Sequence, residues 1–290
     1  MTAREQDTRP QNTLGGRILV AAFDGWNDAG EAASNAIEQL RRSGSYEPVF
    51  SVDPELYFDY QYTRPNMQAD GDGRRVLKWP EATLYRPTRS TGVELWLLTG
   101  VEPARAWRAF TSELLDVALR EDVTGLVTLG SMMSDVPHTR PIAVSVTSEN
   151  DPLRTALELE RSAYEGPTGI IGVLADAAET VGIPAVSLWA SVPHYVASHA
   201  PSPKATLALL DRLEELSGAD VPRGSLETEA AAWEASIDAA AADDEEMREY
   251  IRHLEENRDT VESPEASGDA IAKAFERYLR RDGDDPRGRR

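Results

Sequence analysis

Residues 18–23, Ile-Leu-Val-Ala-Ala-Phe, form an unbroken apolar run. A strand with one wet face alternates polar and apolar side chains; one that is apolar on both faces needs a core on each side. A sheet held between two layers of helices meets that demand. The following residues agree. Asp28, with Glu31 three residues on, reads as an acidic variant of the capping box, opening a helix over 29–43. Its apolar stripe is Ala29, Ala33, Ala36, Ile37 and Leu40, and Gly44 supplies the stop.

The same alternation recurs downstream. Strands are expected at Val49–Val52, Val93–Leu98, Leu126–Leu129, Ile142–Val146 and Ala185–Trp189. Helices are expected over 103–120, 153–164 and 170–181. The pattern predicts an α/β domain with a mostly parallel sheet, spanning 17–217. Residues 53–92 break the rhythm with Pro54, Pro65, Pro80, Pro87 and an Asp70-Gly-Asp-Gly73 turn. They read as an insertion in which Val76–Trp79 and Thr83–Arg86 pair as a hairpin about Pro80. Tyr57, Phe58, Tyr60 and Tyr62 crowd this insertion, so it is expected either to be a subunit interface or to fold back onto its own core.

Charge divides the chain further. Thirty basic residues face fifty acidic ones, a net charge of −20, and residues 226–265 hold fourteen Asp/Glu against three Arg. The Gly- and Pro-rich stretch 218–224 marks a boundary before that segment. Beyond it, Leu226, Ala230, Trp233, Ile237, Ala240, Met247, Ile251 and Leu254 alternate four and three apart, a heptad seam interrupted at Asp244. A second helix from Ser263-Pro264 carries Ile271, Phe275 and Leu279. The expectation is a separable acidic helical hairpin over 225–281, with polar tails at 1–16 and 282–290. So acidic a chain lacks the basic face that nucleic acid requires. No apolar stretch is long enough to span a bilayer, and residues 1–16 lack the apolar core of a secretory signal. A soluble cytoplasmic protein is the expectation. Cysteine is absent, which removes disulfides and thiolate chemistry.

Three stretches at strand ends hold candidate functional residues. In the first, Asp24, Trp26, Asn27 and Asp28 follow the opening strand, where ligands gather in open α/β sheets. The acids would repel a phosphate; they either hold a polar ligand or a metal, or Asp28 simply caps the helix. In the second, Gly130, Ser131, His138 and Arg140 lie in a polar loop. Ser131 and His138 invite a hydrolase reading, but the G-x-S-x-G elbow is missing. In the third, Gly166 and Gly169 precede a helix without a P-loop Gly-Lys-Ser/Thr or a dinucleotide G-x-G. No catalytic residue, metal ligand set or cofactor motif follows from any of them.

Taken together, 17–30 (RILVAAFDGWNDAG), 56–65 (LYFDYQYTRP), 100–110 (GVEPARAWRAF), 129–140 (LGSMMSDVPHTR), 164–174 (YEGPTGIIGVL) and 183–201 (IPAVSLWASVPHYVASHAP) resemble the PAC2 family, the proteasome assembly chaperone 2-like proteins, in its bacterial branch. The resemblance implies a three-layer α/β fold of the phosphorylase/hydrolase-like type, a homo-oligomer, a C-terminal helical appendage and a proteasome-related protein as candidate partner. It supplies no catalytic residues. Some archaeal relatives bind the proteasome α ring through a C-terminal hydrophobic–Tyr–X ending; residues 285–290 (DPRGRR) differ from it, and Tyr278-Leu279 lies inside the tail. The alternative is a small-molecule-binding protein or an enzyme built on the strand-end loops.

Overall fold

A computed structural model describes residues 14–262 apart from 90, 91 and 160. The elements, in order, are β1 (Arg17–Asp24), α1 (Ala32–Ser43), β2 (Tyr46–Ser51), α2 (Pro54–Tyr57), β3 (Asn66–Ala69), β4 (Arg75–Lys78), β5 (Ala82–Pro87), β6 (Glu94–Val101) and α3 (Trp107–Arg120). They continue with β7 (Gly125–Ser134), β8 (Val144–Thr147), α4 (Asp151–Leu157), α5 (Ile170–Thr180), β9 (Ala185–Pro193), α6 (Pro203–Ser217), α7 (Leu226–Ala242) and α8 (Glu245–Glu262). Seven strands form the main sheet in the order β2-β5-β6-β1-β7-β9-β8. Its centre, β6-β1-β7-β9, is parallel; β5, β2 and β8 add antiparallel edges.

The two-sided core inferred from the opening strand is present. Ile18, Val20 and Ala22 enter one cluster with α1 and α6, while Leu19, Ala21 and Phe23 enter the other with α3 and α5. β6 divides likewise, Leu95 and Leu97 to one side and Trp96 and Leu98 to the other. Burying each of the larger of these side chains contributes about 1.5–3 kcal/mol, and each alanine less, before conformational entropy is set against it.

Several expectations are corrected. The hairpin forms one strand earlier. β3 pairs with β4 around the Asp70–Gly73 turn, and Thr83–Arg86 belongs to β5 in the main sheet. Asp70 Oδ1 accepts from the backbone N–H groups of Asp72 and Arg74, closing that turn, so it outcompetes Pro80. The helix expected over 153–164 ends at Leu157, where Glu158 turns left-handed. The long heptad helix is two helices, because Asp244 accepts from the Met247 N–H and caps α8.

The seam of α7 is not left for a distant partner. Leu226, Trp233 and Ile237 join the α1/α6 cluster, and Trp233 Nε1 donates to the His199 carbonyl at 2.9 Å. The acidic segment therefore shares a core with the sheet. Residue 14 is also not tail: Leu14 is buried and its N–H donates to the Leu216 carbonyl. The expected helix from Ser263, the segment 1–13 and the tail 282–290 lie outside the described residues.

Candidate functional site

The turn after β1 is built from backbone geometry and one carboxylate. A single 3-10 turn, Ala29–Glu31, precedes α1, so the helix starts three residues later than the capping pattern suggests. Asp28 still caps it across that turn: Oδ1 accepts from the N–H groups of Ala33 (2.8 Å) and Ser34 (3.1 Å). Burial pushes the Asp28 and Asp24 carboxyls above the usual carboxylate range, partly offset by hydrogen bonds from Ser34.

β7 holds this turn in place. The Ser131 N–H donates to the Asn27 carbonyl at 2.9 Å, and its hydroxyl donates to the Ala29 carbonyl at 2.8 Å. Ser131 is thus a buried clamp. His138 is not beside it. Its imidazole is fully buried, with Nδ1 2.8 Å from the Tyr195 hydroxyl and Nε2 3.1 Å from Asp238 on α7. Ser131 and His138 therefore form no nucleophile–base pair.

Arg140 belongs to the same fastening as His138. It reaches Asp259 (2.8 and 2.7 Å) and Glu255 (3.3 Å) on α8, and Lys204 on α6 pairs with Glu234 on α7. The Arg140 guanidinium holds the Asp259 carboxyl below its usual range. Neither His138 nor Arg140 lines the cavity described next; they bind the acidic helices to the domain.

That cavity, about 860 Å³, opens at the carboxyl ends of β1 and β7 and is walled by β8, β9, α5 and the loop before α5. Trp26, Asn27 and Asp28 line it, with Ser131, Met132 and Met133 opposite and Tyr164 at the rim. Trp26, Met132, Met133 and Tyr164 are exposed. Asn27 is buried, and its amide oxygen has no hydrogen-bond partner among the described residues.

The three glycines each sit where a neighbouring side chain approaches the backbone closely. A Cβ on Gly130 would stand 2.7 Å from the Trp189 ring, which crosses β7 at that point. On Gly169 it would collide with the Asn27 amide oxygen, and on Gly166 it would meet the Tyr164 hydroxyl at 2.6 Å. One participant was missed in the sequence. Glu102, just past β6, accepts from the Ile170 N–H at 2.8 Å and occupies the start of α5. Its only signal was an acid at the end of a strand.

The aromatic insertion splits in two. Tyr57 and Phe58 are buried in the α3/α5 cluster, where Tyr57 donates to Glu113 at 2.6 Å and its phenol is pushed up to about 12 by burial and that carboxylate. These two are spent inside the chain and cannot also form a subunit contact. Tyr60 packs at a tilt against Trp79, ring centroids 4.8 Å apart, and Tyr62 is 86% exposed.

A family model for the PAC2 family matches residues 22–241. The chain belongs to the PAC2 family. A PAC2 family protein from Streptomyces avermitilis is 44% identical, with a TM-score of 0.75 over 81% of this chain and 99% of that one. A proteasome-assembly chaperone homologue from Mycobacterium tuberculosis is 43% identical, with a TM-score of 0.72 over the same shares. An archaeal proteasome activator from Pyrococcus furiosus shares the fold at 14% identity, with a TM-score of 0.61 over 80% of this chain and 95% of that one. No curated protein matches the chain. In this PAC2 protein, no three His, Asp or Glu side chains among the described residues come together in a way that could hold a metal. Among those residues no helix is long and apolar enough to cross a membrane.

Proposed function

We propose that this PAC2 protein is a cytoplasmic, homo-oligomeric protein-binding factor that acts on a proteasome-related partner in the manner of an assembly chaperone. The carrying observation is the β3–β4 hairpin. All eight of its residues are exposed, and it presents Met67, Val76 and Leu77, with Trp79 beside it. A two-stranded ribbon is marginal in water unless something covers it. A second copy is the occupant proposed. Both hairpin edges are unpaired among the described residues, and an open β edge is complementary to itself about a two-fold axis. The likeness to a proteasome-assembly chaperone homologue supports the partner class.

The test has two arms. Light scattering at micromolar concentration is expected to give a multimer, and Met67→Ser with Leu77→Ser, a cross-strand pair, is expected to lower the mass. Purified proteasome α subunits of the same organism are expected to form a complex visible by native mass spectrometry. A monomer that leaves those subunits untouched would end this reading.

A second reading has its own observation. The 860 Å³ cavity joins all three strand-end stretches singled out in the sequence, through Trp26 to Asp28, Ser131, and Pro167 with Thr168, as expected of a small-molecule site.

A further inference from the structure

We infer that the cleft recognises an organic cation: an alkylammonium or guanidinium group carried on an apolar body. This rests on the second reading above and names its ligand chemistry. The first support is charge. Asp28, Glu149, Asp176 and Glu179 line the cleft, and no Lys, Arg or His is among its described lining residues. Glu149 is paired with Arg161 at 3.1 Å, and Glu179 is held by the Asn150 side chain and the Ala185 N–H. Asp176 lies one turn before Glu179 on α5, exposed, and pairs with no cation among the described residues.

The second support is that the places an anion would use are taken. Helix N-termini attract anions through free N–H groups. Here the chain's own carboxylates fill both that adjoin the cleft: Asp28 at α1 and Glu102 at α5. A third is the aromatic wall. Trp26 and Tyr164 stand exposed at the rim and Trp189 lies within, and such rings attract cations through their faces. Asn27 is buried in the cleft wall, with its amide oxygen closed off against Gly169.

The probes must carry one charge, because a chain of net charge −20 attracts any polycation. Phenethylamine, 2-phenylethanol and phenylacetate have nearly one shape and differ in charge. Titration of the full chain by calorimetry and tryptophan fluorescence is expected to rank them cation, neutral, anion, with about tenfold between the first two. Asp176→Asn is expected to remove most of that gap while 2-phenylethanol binding stays unchanged. Trp26→Ala is expected to weaken phenethylamine, with circular dichroism confirming an intact fold. If none of the three binds, the small-molecule reading itself fails. Should phenylacetate or 2-phenylethanol bind as well as the amine, the site is real but the cation assignment falls. A further arm separates the sources of such a group: N-acetyl-Gly-Arg-Gly-amide against butylguanidine, each carrying one charge. Tighter binding of the peptide assigns the cleft to an arginine side chain of a protein, and tighter binding of butylguanidine assigns it to a free small cation. If replacing the arginine by citrulline changes nothing, guanidinium recognition is overturned.

Discussion

The loops that follow β1 and β7 leave neighbouring parallel strands at the same end of the sheet, yet they meet opposite fates. The β1 loop, with Trp26 exposed, opens onto the cleft. The far part of the β7 loop, 138–140, is bonded to two acidic helices, and its His138 is fully buried. What differs is the kind of bond each makes. The β1 turn is closed by local caps and backbone contacts, which leave its large apolar side chains free to face outward. The β7 loop presents charge, and charge is met by carboxylates from α7 and α8. The residues that looked most reactive, His138 and Arg140, are fasteners; the open surface belongs to tryptophan and methionine.

Four substitutions probe that contrast. Trp233→Ala strikes the covered side hardest. It removes a buried indole and its hydrogen bond to His199, and is expected to cost about 3–5 kcal/mol by chemical denaturation. A loss below 1 kcal/mol would mean that α7 is a separable appendage after all. Gly169→Ala does the corresponding damage on the open side, by overpacking against Asn27, at about 1–3 kcal/mol. Crystallography should find Asn27 displaced; an unmoved Asn27 would mean that the close approach carries no constraint.

Arg140→Ala is expected to be small globally, about 1 kcal/mol or less, because its partners are partly exposed and screened. Its effect should be local. Hydrogen exchange would quicken in α8 and stay unchanged in α1, and 0.5 M salt, chosen as about several times physiological, should mimic it. Uniform quickening would contradict a local fastener. Asp28→Asn is the smallest. Asparagine keeps the capping oxygen and removes a charge that burial disfavours, so a gain of a few tenths of a kcal/mol is expected at pH 7. The raised carboxyl binds its proton more readily in the folded state, so the charge penalty is present above that folded value and is relieved as pH falls through it. The gain should therefore vanish in acid. A gain that grew on acidification would reverse the assignment.

Much of the fold was legible because periodicity reports burial directly. The run at 18–23 implied two cores, and two are present. The hairpin was misplaced because Pro80 and the Asp70–Gly73 turn are both legitimate turn signals, and only hydrogen bonding chooses between them. An aspartate inside a heptad seam can cap a new helix, and Asp244 does. For the site, parts of all three strand-end stretches do converge. What local sequence cannot carry is that Asp238, Glu255 and Asp259, about a hundred or more residues on, would claim His138 and Arg140, since such pairings are set by tertiary contact.

The two-faced strand has one more consequence. In most sheets a one-residue slip is forbidden because it would drive polar side chains inward. In β1 both faces are apolar, so a slip would exchange one greasy face for another, and hydrophobicity gives little protection against it. Alignment has to be set at the ends. At the start, Arg17 N–H donates to the Thr124 hydroxyl, which donates on to the Gly15 carbonyl, while the Arg17 guanidinium grips Glu94 and the Glu121 carbonyl. At the finish, Ser131 pins Asn27 and Ala29. The strand behaves like a ruler clamped at both tips, its own graduations too uniform to say where it belongs.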